Sequence, residues 1–417
     1  MLKKYRAVLL GVLFFAVAMA FLFLIAPPIQ IKFRLLGVGI TELILLAIAL
    51  TGGVIYKIAG KKTLKEIFPF SFKSLSFKIF LNSLLVYIGA YCIVLGVNIM
   101  QMYIFPGAAE TNTALGNFFA EGGVIIMIIA LTVMPGICEE MLHRGFILST
   151  FKNIESTAVK LLLMGIIFGI FHADIYRFAP TMVMGMGLTY IMIKTGNLFY
   201  SMFFHFINNF IGIAPILILK MTNSGDLTFD IPAGMYSLSS ISGILSFTAS
   251  AMLYLPLGLL FVYLGVRRFS RKDSDAEQKP KRFKFIVPAC IVLAVSGFML
   301  SGVSGISGSL EKPVYDANIG VNLTEPFNSS NNFEIKSERN YNIKVYVDGG
   351  ENVSGSIRIT DKNGKEIYNS GQGSMFNSDK TLLLSAGIYT CEIELIPKRE
   401  IVNESEAIPA KIGVTIS

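Results

Sequence analysis

Successive apolar runs, each about 20 residues long, leave this chain few ways to fold, because that is the length at which a helix crosses the hydrocarbon core of a bilayer. They fall at roughly 7–26, 35–56, 79–104, 122–142, 158–176, 179–194, 197–219, 240–266 and 285–304. Inside lipid every backbone N–H and C=O has to be bonded within the protein, so such runs fold as helices. Composition agrees, since 53% of the 417 residues are hydrophobic and 15% are charged, against about 25% charged in a soluble domain. The expected fold is an all-α polytopic membrane bundle of about nine transmembrane helices. Pro180 and neighbouring glycines interrupt the fifth to seventh runs, where a re-entrant piece also fits.

The net charge of +8 sits in short loops beside the apolar runs, where the positive-inside rule puts it, so nucleic acid is not an expected partner. With Lys3, Lys4 and Arg6 in the cytoplasm, alternation also puts Lys57 to Lys78, then Arg144, Lys152 and Lys160, and then Arg267 to Lys284 inside. Glu110, Glu121, Asp226 and Asp230 fall outside. The first run continues through Phe21 to Ile25, beyond the reach of a signal peptide, and reads as an uncleaved span. The expected organisation is an eight-span domain at 1–266, a basic cytoplasmic linker at 267–284, a ninth helix at 285–304 and a β-rich domain at 311–417. In that last segment short alternating strands are expected around 333–335, 343–347, 357–359, 382–384, 389–395 and 412–416, with Asp361 to Gly364 as a hairpin turn. The pattern suits a small all-β extracytoplasmic domain, a β-sandwich. Cys92, Cys138, Cys290 and Cys391 form no CxxC pair and imply no disulfide framework.

Chemistry concentrates in one stretch. Glu139, Glu140, His143 and Arg144 interrupt an apolar run, where each charge costs roughly 2.5–3.5 kcal/mol. Residues four apart share a helix face, so Glu140 lies over Arg144 and Glu139 over His143, while the two acids point about 100° apart. One carboxylate is thereby neutralised and the other kept for use. All three histidines of the chain, His143, His172 and His205, lie within about 139–209, and His205 shares a face with Asn209. A carboxylate, two imidazoles and an amide on separate spans supply a base, ligands or proton shuttles, and an oxyanion donor. Cys138 reads as a small core residue, and His143, Glu42 and Asp174 as interfacial. Gly185 and Gly187 read as a close-packing site for neighbouring helices.

Glu139-Glu140 with Arg144, Phe168 with His172, and His205 with Asn209 resemble the EExxxR, FxxxH and HxxxN motifs of the CPBP or Abi family, the CAAX prenyl endopeptidases and bacteriocin-processing or immunity proteins. The resemblance covers about 120–215; the ninth helix and the β-rich tail lie outside it. It implies an intramembrane endopeptidase with Glu139 as the essential acid, His172 as its partner, His205 and Asn209 completing the site, and Glu140 and Arg144 in support. His143 departs from the aromatic residue common at that position.

The expected activity is hydrolysis of a peptide bond in a hydrophobic or membrane-associated peptide by glutamate-activated water, with the oxyanion held by His205 and Asn209. Glu139, His172 and His205 are also candidate ligands for Zn2+ or another divalent metal; a metal-independent route uses the same groups without an ion. The expected partners are a hydrophobic peptide or membrane-protein substrate, the lipid bilayer of the cell membrane, and an extracytoplasmic partner of the β domain. The alternative is a non-catalytic scaffold, regulator or bacteriocin-immunity protein on the same fold; a transporter ranks third, as the spans show no repeated halves. The charge pattern predicts that an impermeant thiol reagent applied from outside labels a cysteine placed at Ser329 and spares one at Ser274. The reverse labelling inverts the topology.

Overall fold

The computed structural model describes residues 2–60, 62–222, 236, 238, 241–270, 283–310, 314–336, 338–348, 352–398 and 408–416. The central part of the basic linker, with Ser274, and the loop carrying Asp226 and Asp230 lie outside the described residues. The chain divides into two compact units, Met1–Asp230 with Thr248–Met299, and Ile231–Phe247 with Leu300–Ser417.

The apolar runs are helical: α1 (Leu2–Leu24), α2 (Ala26–Gly60), the short α3 (Leu64–Ile67) and α4 (Phe77–Ile104) are followed by α5 (Pro106–Ala120). Next come α6 (Val124–Asn153), α7 (Thr157–Phe171), α8 (Ile175–Thr195), α9 (Leu198–Thr222), α10 (Ile241–Ser270) and α11 (Phe283–Leu310). Among the described residues seven of these, α1, α2, α4, α6, α9, α10 and α11, are long and apolar enough to cross a membrane. The expectation of about nine spans is therefore met at seven. Helix α7 has 15 residues, about 22 Å at 1.5 Å per residue, short of a core of about 30 Å. Helix α8 carries Arg177, Lys194 and an internal Pro180 and is not among the seven. The segment from Pro106 to Ala120, expected as a loop, is a helix that opens on proline, whose fixed φ suits the first turn. Helix α2 is broken at Arg34, with φ 52°, and Arg34 Nε pairs with Glu121 at 3.2 Å.

Glycines set how closely the site helices approach. A Cβ on Gly185 of α8 would lie 2.8 Å from the Cβ of Phe168 on α7, so only a hydrogen fits there, which accords with its expected packing role. A Cβ on Gly145 of α6 would meet the ring of Phe68 at 2.5 Å. The loop after α3 thus presses an aromatic wedge onto the helix that carries the acids. That loop is anchored by Asn197, which accepts from the Ser71 N–H at 3.2 Å and donates to the Ser71 carbonyl at 2.7 Å.

The carboxy-terminal unit contains strands β1 (Tyr315–Leu323), β2 (Phe327–Ile335), β3 (Arg339–Asp348), β4 (Val353–Asp361), β5 (Glu366–Asn369), β6 (Met375–Leu384), β7 (Gly387–Pro397) and β8 (Ile408–Ile416). They form two four-stranded sheets, ordered β1-β8-β3-β6 and β2-β7-β4-β5, with antiparallel pairing throughout. Alternation places Ile343, Val345, Ile412 and Val414 of one sheet and Ile357, Ile359, Cys391 and Ile393 of the other in a single apolar core. The expected turn is present, with Asp361 Oδ1 accepting from the Asn363 and Lys365 N–H groups at 2.8 and 2.9 Å and Gly364 at φ 77°. Strands β1 and β5 were not among the expected set; β1 shows only half-buried alternation, a weak signal in a polar sequence.

Ile343 is fully buried and Leu383 is 65% exposed. Ile343→Ala should cost about 2–5 kcal/mol, and Leu383→Ala within about 0.5 kcal/mol. The thiol of buried Cys391 reports opening of this core: its labelling rate should rise at least about 30-fold in the first variant, by the lower end of that range, and stay near wild type in the second.

Candidate active site

Helix α6 is not uniform. An α-helical turn, Met134–Glu140, gives way to a π-helical one, Met141–Ile147, so the two acids end one segment and Arg144 lies in the next. π-turns are uncommon and occur most often at functional sites. The expected pairing of Glu140 with Arg144 is present: Arg144 Nη1 donates to Glu140 Oε1 at 2.6 Å, with both side chains fully buried. Arg144 also reaches helix α8, donating to the Gly185 carbonyl at 3.0 Å and to Thr189 Oγ1 at 3.4 Å. Its guanidinium carbon lies 4.3 Å from the ring centroid of Phe168 on α7, an arrangement that gains cation–π attraction where no water competes. The same Glu140 Oε1 accepts from His205 Nδ1 of α9 at 2.9 Å. One carboxylate oxygen therefore ties α6, α8 and α9 together.

Glu139 is left over. It is 7% exposed, its Oε2 has no hydrogen-bond partner in the protein, and His205 Nε2 stands 3.9 Å from that oxygen, too far for a direct hydrogen bond. With His205 Nδ1 given to Glu140, Nε2 is the nitrogen turned toward Glu139. His172 ends α7 and its Nδ1 donates to the Phe168 carbonyl at 2.9 Å, which again leaves Nε2 for chemistry. Ala173 follows in the left-handed region, φ 54°, and Asp174 caps α8 by accepting from the Tyr176 and Arg177 N–H groups at 2.7 and 3.3 Å. Asp174, expected at an interface, thus has a helix-capping role that swings the chain back over the site.

Glu139, His172 and Asn209 line one cavity of about 490 Å³, together with Glu42, Thr41 and Gln30 of α2, Arg177 of α8 and Asn208. Its apolar wall includes Leu22, Phe118, Phe119, Leu131 and Ile213. The volume is that of a ligand site. Asn208 Nδ2 donates to Asn209 Oδ1 at 3.1 Å, so the amide oxygen of Asn209 is already engaged. Cys138 is buried, as expected of a core residue.

Two expectations change. His143 was placed at the membrane interface, yet it is fully buried, its ring edge-on to Phe168 and Phe171 at 5.1 and 4.7 Å. Its Nδ1 donates to the Glu139 main-chain carbonyl at 2.8 Å rather than to the carboxylate. Glu42 is 5% exposed and faces the cavity. The other groups the motif reading passed over are Arg177, Asn208 and Phe168's role as the packing centre. Arg177 and Glu42 carried the same signal as Glu139, a charge in an apolar segment. As for the candidate metal ligands Glu139, His172 and His205, the described residues include no group of three or more His, Cys, Asp or Glu side chains placed to hold an ion.

Arg144→Met should destabilise the protein by about 3–5 kcal/mol, the cost of leaving a buried carboxylate without its cation. In a double-mutant cycle with Glu140→Gln, the double variant should lose clearly less than the sum of the two single ones, as read from thermal unfolding in detergent. Additive losses would show that the pair does not act as a unit.

Neither the curated proteins nor the solved structures contain a match to this chain. Residues 121–211, which include every residue of the three motifs, match the family model of the type II CAAX prenyl endopeptidase Rce1-like proteins, in keeping with the CPBP resemblance.

Proposed function

We propose that this multi-pass membrane protein is an endopeptidase that hydrolyses a peptide bond of a hydrophobic or membrane-associated substrate in the cavity beside Glu139. The observation that carries the reading is the division of labour between adjacent acids: Glu140 is bonded to Arg144 and His205, while the buried Oε2 of Glu139 has no partner. Glu139 takes a proton from water, and the hydroxide formed attacks the peptide carbonyl. The oxyanion is stabilised by the Asn209 amide N–H. Arg177, in the same cavity, adds positive charge. The apolar wall takes the substrate's side chains.

The reaction is assigned to the protein's own groups, without a metal. We place the amino terminus in the cytoplasm and the carboxy-terminal domain outside. Seven spans or nine leave the same parity, because α7 and α8 form a hairpin that enters and leaves together. We read the two carboxy-terminal sheets, which share one core, as a β-sandwich that recruits an extracytoplasmic partner.

Purified wild-type protein in liposomes should cleave a hydrophobic fluorogenic peptide equally well with and without chelator, and Glu139→Gln should lose at least about 100-fold in kcat, with unfolding temperature unchanged. Retained turnover in that variant ends the glutamate-base reading. Chelator-sensitive activity restored by zinc ends the metal-free one.

A further inference from the structure

The cavity holds a second acid that no motif accounts for. Glu42 lies on α2, across from Glu139 on α6; it is 5% exposed, and its Oε2 is buried without a hydrogen-bond partner. A carboxyl group in that position has to be neutral or compensated. The surroundings of the two acids differ. His205 Nε2 stands 3.9 Å from Glu139 Oε2 and Arg144 is paired to the adjacent, like-charged Glu140, whereas Glu42 Oε2 has no cation or donor beside it among the described residues. Cys138 of α6 lies near both acids and brings no positive charge. Arg177 of α8 acts on Glu139 and Asp174, and His172 lines the cavity from the end of α7. Two carboxyl groups in one low-dielectric cavity that differ in this way take different roles, one ionised and one carrying a proton.

We propose that Glu42 is the proton-carrying acid of the site and donates that proton to the departing amine. The inference rests on the peptidase reading above and adds to it the general acid. Glu139 removes one proton from water as the water oxygen bonds to the carbonyl carbon, giving a tetrahedral oxyanion. When the C–N bond breaks, the amine nitrogen takes the proton of Glu42, leaving a carboxylic acid product and an amine. Glu42 is then a carboxylate and Glu139 a carboxylic acid. Transfer of the proton from Glu139 to Glu42 restores both, and the sum is hydrolysis by one water.

Two measurements on the full-length protein test this. In infrared spectra at pH 7, wild type should show the C=O stretch of a protonated, weakly hydrogen-bonded carboxyl that disappears in Glu42→Gln and persists in Glu139→Gln. Absence of the band in wild type, or its loss in Glu139→Gln alone, overturns the assignment whether or not the protein is a peptidase. In kinetics, a hydrophobic peptide is compared with a p-nitrophenyl ester of the same acyl sequence, whose leaving group departs without a proton. Glu42→Gln should lower peptide kcat at least about 100-fold and ester kcat by less than about fivefold, as a general acid requires, while Glu139→Gln loses both. Equal loss on the two substrates overturns the donor role. If wild type hydrolyses neither substrate, the peptidase reading falls and takes the donor role with it; the infrared result still decides which acid carries the proton.

Discussion

Arg144 is a guanidinium at 1% exposure among apolar helices, and most of the site's geometry follows from how its charge is met. A buried cation is tolerable when it is paired and its donors are used. Here Glu140, the Gly185 carbonyl and Thr189 take them, and Phe168 covers the face of the ion. Such a network contributes little net stability against an apolar replacement, but it penalises any other arrangement of the same helices. Because Glu140 also receives His205, fixing Arg144 fixes the imidazole that faces Glu139. The adjacent acid stays uncommitted because Arg144 and His205 Nδ1 are both taken by Oε1 of its neighbour.

Phe168 has a comparable role without polar atoms. Its ring contacts Arg144, His143, His172 and His205, so the first residue of the second motif is the surface against which all three imidazoles rest. The three Nδ1 atoms all donate to fixed acceptors, two of them main-chain carbonyls. That shared pattern selects the tautomer and the ring plane in each case. A site assembled this way leaves the Nε2 atoms of His172 and His205 as acceptors held in fixed positions.

Much of this was legible in the sequence, and the parts that were not have identifiable causes. The helices could be placed because lipid leaves the backbone no alternative, and the Glu140–Arg144 pair because residues four apart on a helix are neighbours. Spacing could not show that His143 turns inward, since its burial comes from packing against Phe168 and Phe171 of another helix. It also could not show that Glu42, nearly a hundred residues before Glu139 in the sequence, faces the same cavity, because contacts between helices leave no local pattern. In the carboxy-terminal unit the central strands stood out by strict alternation, as in β4 and β7. The sheet order did not, because consecutive strands mostly change sheet and every pairing except β4 with β5 joins segments distant in the chain.

The proposed hydrolysis needs water where lipid excludes it, and the short helix α7 bears on this. At about 22 Å it cannot traverse an ordinary hydrocarbon core, so the turn that ends it lies below the level reached by the longer helices around it. That turn carries His172, the exposed Ala173 and the Asp174 cap, and Arg177 follows one turn later. Polar groups that are not fully satisfied by protein bring water with them. The length of α7, which made it a poor candidate for a span, therefore sets the depth of the turn that lines the Glu139 cavity.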